Sequence, residues 1–537
     1  MTSTASTPRG PAPGLGDEDN RITPDILKVA AVVVLGSIMA ILDTTVVNVA
    51  LPTFLTEFEV DAYSTVAWTI TGYTLALAAI IPVTGWAADR FGTKRLYLMA
   101  LVLFTLGSVL CALAWNIEAL IAFRVVQGLG GGMLMPLGMM ILTRIAGPHR
   151  LGRLMAIMGI PMLLGPILGP ILGGWIIDSV SWHWIFIINL PLGIAAIVYS
   201  LYALPKDAPQ PGERFDFVGM ALMSPGLALF LYGVSTIPEE GTVAAAKVLV
   251  PGLVGLALIV GFVVWSFRPE HPLLDLRLFR DRNLTVATLV MFFFAGSFFG
   301  AMLLVPTYFQ QVRGEDVLHA GLLVAPQGLG AMLTMPLAGT LADKYPVGRV
   351  VPFGFIGIIV GVAGLAFSTD PDTPYWQLIT FLFIMGLGMG GTMMPVFTSA
   401  LKTLQSHHVA RGTTLINVIQ QVAASVGVAV MSVVLTNQQN ASEALKAVRS
   451  LADAERLGIQ PPAWATETMQ RLGDAAQGLA LNDLADSFSS AYGVATVALV
   501  LTLIPVAFLP RRREESHLLD DQDEAGPGTT GAPVIIH

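Results

Sequence analysis

The chain has 537 residues, 54% of them hydrophobic and only 12% charged, with a formal net charge of −8. A soluble globular protein carries about 25% charged residues, so the composition excludes a large water-soluble core and points to an all-α polytopic membrane protein. Much of the acidity sits in "GDEDN" near the N-terminus and "EESHLLDDQDE" near the C-terminus, and nothing is basic enough to bind nucleic acid.

Residues 1–26 read as a disordered cytoplasmic tail, without a cleavable signal peptide, because the first apolar run is too long for one. A spanning helix needs about 20 mostly apolar residues. Fourteen runs qualify: 27–51, 63–86, 96–115, 118–143, 151–178, 184–204, 216–237, 247–267, 284–310, 319–341, 350–368, 376–402, 411–437 and 487–509. An even count puts both termini on one side. With that side in the cytoplasm, 22 of the 29 Lys and Arg fall in inside segments, six fall outside, and Arg124 lies within a span. This alternation is the one the positive-inside rule demands. The expected location is the cell membrane, multi-pass, with both termini cytoplasmic.

The first run contains Asp43, within "IMAILDTTVVNVALP". An Asp at the centre of a span costs about 2.5–3.5 kcal/mol, and intramembrane acids are functional by default. The alternative is a structural Asp bonded to Thr44, Thr45 or Asn48. Between runs two and three lies "GWAADRFGTKR", Gly85 to Arg95. Gly85 permits close helix approach, Gly92 a tight turn, and Asp89 can pair with Arg90 or Lys94 or cap the next helix. The bland reading is a charged turn. Cys111, the one cysteine, reads as packing. Run four holds Arg124, the one basic residue deep in a span, with Gln127 on a nearby face; a side chain snorkelling to the interface is the rival reading. Run five carries Gly165, Gly169 and Gly173 at helical spacing, with Pro166, Pro170 and Gly174 beside them. Such a stripe allows two backbones to approach closely. The eight histidines and Cys111 form no metal-ligand cluster, so no metal or cofactor is expected.

The second half repeats the first. "GTLADKYPVGR" (Gly339 to Arg349) matches Gly85 to Arg95 at an offset of 254, with Asp343 opposite Asp89. Pro52 matches Pro306 at the same offset, and "GLGGGMLMP" in run four matches "GLGMGGTMMP" in run twelve. The halves 27–204 and 284–509 are therefore two copies of a six-helix bundle, and 216–267 is an inserted pair. Parallel six-helix repeats place a substrate site between the halves near the midplane. The repeat is unequal in charge: Asp43 corresponds to Ser297 and Arg124 to Leu382. Proton chemistry is thus expected in the first half only. "MFFFAGSFFGAM" in run nine, Gln327 in run ten, and Asn417, Gln420 and Gln421 in run thirteen supply aromatic, Met and amide groups suited to varied apolar ligands. Candidate substrate-binding residues are Asn48, Tyr73, Gln127, Phe298, Gln327, Asn417, Gln420 and Gln421. Residues 438–486 form an extracellular loop with the pattern of a short helical pair, and 510–537 a disordered cytoplasmic tail.

Five stretches together resemble the fourteen-helix drug:proton antiporters of the major facilitator superfamily. They are "LDTTVVNVALP", "GWAADRFGTKRL", "RVVQGLGGG", "GPILGPILGGW" and "WHWIFIINLPLG", and the resemblance runs from about residue 27 to 510. It implies a major facilitator fold with 14 transmembrane helices. It also implies that Gly85, Asp89, Arg90 and Lys94, with Asp343 and Arg349, form a conformational latch, and that Gly165, Pro166, Gly169, Pro170, Gly173 and Gly174 form the antiporter motif, a gasket closing the cavity. It ties Arg124 to proton transfer; Asp43, an acid buried within a span, is the expected proton carrier on its own chemistry. Thr93 stands where the family often has Arg, which weakens one latch contact. The expected function is proton-coupled efflux of hydrophobic or amphipathic drugs by a monomer, its partners being a small-molecule substrate, protons and the lipid bilayer; no adaptor protein is evident. A lipid or metabolite exporter on the same fold and an uncoupled facilitator are the alternatives. An enzyme is not expected, since no nucleophile–base pair is visible in the spans.

Overall fold

The structure, a computed structural model, describes residues 23–60, 63–146, 150–206, 215–237, 242–402, 404, 408–457 and 460–512. Most of the two tails expected to be disordered, 1–22 and 513–537, lies outside the described residues, as do the side chains of Pro166, Pro170 and Asp343.

Backbone polar groups in a bilayer must be satisfied within the segment, which makes each apolar run a helix. Runs one to five are α1 (Pro24–Glu57), α2 (Tyr63–Phe91), α3 (Thr93–Ala112), α4 (Ile117–Ala146) and α5 (Leu151–Ser179). Run six breaks at Ile188 into α6 (Trp184–Ile187) and α7 (Asn189–Ala203). The inserted pair is α8 (Phe217–Ser235) and α9 (Ala246–Trp265). Then come α10 (Arg282–Gln311), α11 (Val317–Lys344) and α12 (Val347–Ala366). Run twelve breaks after Gly390 into α13 (Tyr375–Gly390) and α14 (Met393–Lys402), and α15 (Val409–Ala441) follows. Among the described residues, thirteen segments are long and apolar enough to span a membrane; α5, in the position of the fifth run, is a further 29-residue helix.

The loop after α15 is mostly helical. It forms α16 (Glu443–Leu457) and α17 (Ala463–Leu472), and α18 (Ala476–Ala507) starts well before the expected residue 487. α16 packs on α17 and α18, and Arg471 pairs with Glu443 at 2.5 Å.

Local chemistry sets the boundaries. Gly92, at φ 91°, is the one residue between α2 and α3, a backbone state that favours glycine. Asp216, Asp281 and Asp316 cap α8, α10 and α11 by accepting from backbone N–H groups of the first turn,. Asp216 also accepts from Trp265 Nε1 at 3.0 Å and Leu273 N at 3.1 Å, which ties the inserted hairpin together at its base.

The repeat holds at the level of single contacts. Gly128 of α4 lies against the backbone of Tyr73 in α2, and Gly386 of α13 against that of Gln327 in α11. Gly130 meets Ala100 and Phe104 of α3, and Gly388 meets Gly354 and Ile358 of α12. Gly132 meets Leu77 and Ile80, and Gly390 meets Ala331 and Thr334. In each case the partners are related by the offset of 254 read from the sequence. At these positions a side chain would collide with backbone, so helix approach in both halves is set by glycine.

Within the first half α1 packs on α5, and α2 and α3 pack on α4; within the second α10 packs on α15, and α11 and α12 on α13. The halves meet chiefly where α2 packs on α15 and α5 on α11, with α4 also touching α15 and α5 touching α14. Towards the end rich in basic residues, Gly85 abuts Thr414 and Ala410, and Gly159 abuts Met335. α8 lies against both α2 and α15, and α9 lies on α8. Met223, Leu227 and Phe262 of the pair pack with Ala78, Ile81, Leu415 and Val418. The inserted helices therefore sit at the periphery of one seam, and Tyr232 stacks on Trp68 at 5.3 Å, away from the central cavity.

Candidate functional site

Between the halves lies a cavity of about 380 Å³. Its walls are Ile41, Thr44 and Thr45 of α1, Tyr73, Leu77 and Ile81 of α2, Gly131 to Met139 positions of α4, Phe299 of α10, and Asn417, Gln420 and Gln421 of α15. Tyr73, Asn417, Gln420 and Gln421 thus fall where the sequence places substrate contacts. Four other candidates lie elsewhere. Asn48 is exposed and outside the cavity lining. Phe298 is buried and stacked on Phe294 at 5.1 Å, and its neighbour Phe299 lines the wall instead. Gln327 is buried at the α11–α13 contact. Gln127 belongs to the cluster described next.

Directly behind the α1, α2 and α4 walls is a buried polar cluster. Asp43 is 2% exposed and Arg124 0%. Arg124 Nη1 donates to Asp43 Oδ2 at 2.5 Å and to Gln127 Oε1 at 2.8 Å, and its Nε donates to the Thr69 carbonyl at 3.0 Å. The other carboxylate oxygen, Asp43 Oδ1, accepts from Gln127 Nε2 at 2.6 Å and Asn189 Nδ2 at 3.0 Å. Both amides also donate to Ser108 Oγ, at 2.6 and 3.2 Å. Arg124 does not snorkel, and Asp43 is not held by Thr44 or Thr45, whose hydroxyls donate to carbonyls of their own helix.

The sequence singled out Asp43, Arg124 and Gln127 but missed Asn189 and Ser108. Asn189 was legible in part, as the one carboxamide in "WHWIFIINLPLG". Ser108 carried no signal. Cys111, read as packing, lies with its Sγ 3.5 Å from Gln127 Oε1.

This arrangement has a definite chemistry. Burial favours the neutral form of a carboxyl group, whereas an adjacent cation and hydrogen-bond donors favour the ionised form. Here three side chains donate to one carboxylate. Removing one partner of a buried ion pair costs about 3–5 kcal/mol.

The loop Gly85–Arg95 is tied to α4 and to the end of α7. Asp89 pairs with Arg144 of α4 at 3.0 Å, and Arg144 also donates to Thr93 Oγ1 at 2.7 Å. Thr93 therefore supplies a contact in this loop. Lys94 Nζ donates to the carbonyls of Leu201 and Leu204, at 2.8 and 2.7 Å, at the end of α7, where a cation suits the helix terminus. In the second copy, Gly348 N donates to Pro510 O at 3.0 Å, beside Arg349.

The glycine stripe of α5 faces α1, not the other half. A Cβ on Gly165 would fall 2.0 Å from Ile41 Cγ2, one on Gly169 2.0 Å from Thr45 Oγ1, and one on Gly173 3.2 Å from Val46 Cγ1. Thr45 Oγ1 further donates to Gly165 O at 3.1 Å. Gly174 has open space around its Cβ position. The equivalent contact in the second half is tighter still, with Gly427 of α15 against the carbonyl of Gly296 in α10.

Comparison with known proteins gives the family and the fold. Residues 33–428 match the family model described as Major Facilitator Superfamily. The chain is 47% identical over 511 residues to a "Multidrug resistance protein B homolog" of Mycobacterium tuberculosis (strain ATCC 25618 / H37Rv), covering 94% of each chain. It is 31% identical over 407 residues to the "Multidrug export protein EmrB" of Escherichia coli (strain K12), covering 76% of this chain and 79% of that one. The fold is similar to that of the human organic anion transporter MFSD10 (TETRAN), with a TM-score of 0.59 at 16% identity over 90% of this chain and 100% of that one. It is also similar to the proton:xylose symporter XylE, with a TM-score of 0.57 at 15% identity over 93% and 98% of the two chains.

Proposed function

The chain belongs to the major facilitator superfamily, a membrane transporter family, and from that premise we propose that it is a proton-coupled exporter of hydrophobic or amphipathic drugs. The observation that carries the reading is the Asp43–Arg124 pair, sealed directly behind an amide- and aromatic-lined cavity between the halves. Asp43 is the proton carrier and Arg124 its competing partner. The names of the relatives, multidrug resistance and multidrug export proteins, support the substrate class.

The end bearing Arg90, Lys94 and Arg144 faces the cytoplasm of a cell-membrane protein with both termini inside, as the positive-inside rule supports. In this orientation the contacts of Gly85 with Thr414 and of Gly159 with Met335 close the cytoplasmic mouth. The loops around Asp89 and Asp343 act as latches on that closed state. The monomer is the working unit, moving a small molecule against protons across the bilayer.

The test is transport in proteoliposomes with an imposed pH gradient and a panel of fluorescent dyes. Wild type accumulates dye against its gradient, and Asp43→Asn loses uphill movement while retaining dye binding. Gradient-driven accumulation by Asp43→Asn equal to wild type would sink the reading.

A further inference from the structure

Two buried polar atoms lack a well-formed hydrogen bond: the Tyr73 hydroxyl, which faces the Thr44 hydroxyl of the same wall, and Arg124 Nη2. They belong to one unit, because the Arg124 guanidinium sits 4.1 Å from the Tyr73 ring centroid. Tyr73 itself lines the cavity. Its hydroxyl occupies a slot left by Gly131, another wall residue: a Cβ there would come 2.5 Å from the oxygen. Burying such a group without a partner is costly, and both Tyr73 and Gly131 line the cavity. The equivalent position in the second half is Gln327, whose Oε1 is likewise buried and unpartnered, but Leu382 replaces the arginine there. Only in the first half does an unpartnered cavity group rest on an ion pair.

We propose that Tyr73 reports occupancy of the cavity to the Asp43–Arg124 pair: its hydroxyl donates to an acceptor oxygen of the substrate, and the ring so pinned holds the guanidinium against Asp43. The proposal rests on the export reading and deepens it in two ways. The first is substrate class. The Tyr73 hydroxyl belongs to a lining that, among the described residues, holds no carboxylate. Amphipathic compounds bearing a carbonyl, ether or phenolic oxygen satisfy that wall; a cation lacking an acceptor gains nothing from Tyr73 and faces Arg124 behind it.

The second is coupling. The titratable groups facing Asp43 are Arg124 from α4, Tyr73 from α2 and Cys111 from α3, while α7 presents the uncharged Asn189. Only Arg124 is an ion partner, so its position governs whether Asp43 keeps or takes a proton. With substrate on Tyr73 the pair stays closed and the carboxylate stays ionised. When substrate leaves, the ring is free to move off the guanidinium and Asp43 takes a proton from the side to which the cavity is open. Substrate and proton thus exclude one another through Tyr73 without sharing an atom.

The experiment uses the full chain in detergent and three probes: Nile red, which carries a carbonyl acceptor; N-phenyl-1-naphthylamine, which has none; and ethidium, a cation. Tyr73→Phe keeps the ring and removes the hydroxyl. It is expected to weaken Nile red binding about two- to tenfold, the loss of one hydrogen bond, and to leave the other two within twofold. At saturating Nile red it should release less than half the wild-type proton per bound probe in weakly buffered solution. Gly131→Ala, which pushes the retained hydroxyl from its slot, should show the same selective loss. Unchanged Nile red binding overturns the proposal. So does equal weakening of all three probes, which would reduce Tyr73 to packing, and so does weakened binding with undiminished proton release. Asp43→Asn keeps the two readings apart: proton release that survives in that variant removes the proton site itself, whatever Tyr73→Phe does.

Discussion

At the scale of the residue, Asp43 is held by more donors than an anion needs merely to be tolerated. Arg124, Gln127 and Asn189 approach it from two different helices, and Ser108 on a third aligns both amides. This changes what Asp43→Asn does. The variant imitates the protonated side chain but strands Arg124 at 0% exposure without its counter-ion. Stability should fall by about 3–5 kcal/mol, seen as a lower unfolding temperature in detergent. The double variant Asp43→Asn/Arg124→Gln should recover most of that loss and none of the transport; recovery of both would assign the pair to architecture alone. Asn189→Leu should reduce substrate-evoked proton release, whereas Asn48→Leu, at an exposed position outside the cavity, should leave it at the wild-type level. Asp43 and Arg124 were legible in the sequence because a charge within an apolar run is costly and therefore conspicuous. Their amide and hydroxyl partners were not, because Asn189 and Ser108 become neighbours only where α3 and α7 converge, and short polar residues within a span are common enough to carry no signal. The same holds for Arg144, which joins Asp89 from a distant stretch of chain.

At the scale of the element, glycine decides how close two helices come, and not every glycine in a motif does so. Gly169→Ala places a methyl group 2.0 Å from Thr45 Oγ1 and 2.4 Å from its Cβ, so α5 must retreat from α1. Thr45 lines the cavity two residues from Asp43, so the displacement should be felt as lost transport together with a lowered unfolding temperature. Gly174→Ala, with nothing near its Cβ position, should be close to neutral in both assays. If the two variants behave alike, the α1–α5 contact is softer than its geometry states. The stripe itself was readable from spacing; its direction was not. Spacing shows that three glycines share a face, but the residues across that face, Ile41, Thr45 and Val46, are fixed by tertiary packing. The fourteen runs and the repeat were readable for the opposite reason: length and apolarity alone specify a span. The breaks at Ile188 and after Gly390, and the helical loop of α16 and α17, depend on local geometry that an apolar count does not register.

At the scale of the whole molecule, two halves that share the glycine contacts of α4 and α13 differ in what they carry. The second half keeps the scaffold and places Ser297 and Leu382, both buried, where the first has Asp43 and Arg124. One seam between the halves is flanked by α8 and α9, the other is not. The buried pair also has an electrical meaning. With Asp43 ionised, the two charges of the pair cancel, and the buried site presents no net charge to the membrane field. With a proton on Asp43 the same site carries a single positive charge. A cycle that returns inward protonated and moves outward with a neutral passenger therefore shifts one elementary charge each turn, and the membrane voltage contributes about 2.3 kcal/mol per 100 mV to it. Export of a neutral dye should then produce a measurable current on a supported membrane, and an inside-negative voltage should speed export even with no pH difference. A passenger bearing one positive charge should cancel that current, leaving exchange driven by the pH difference alone.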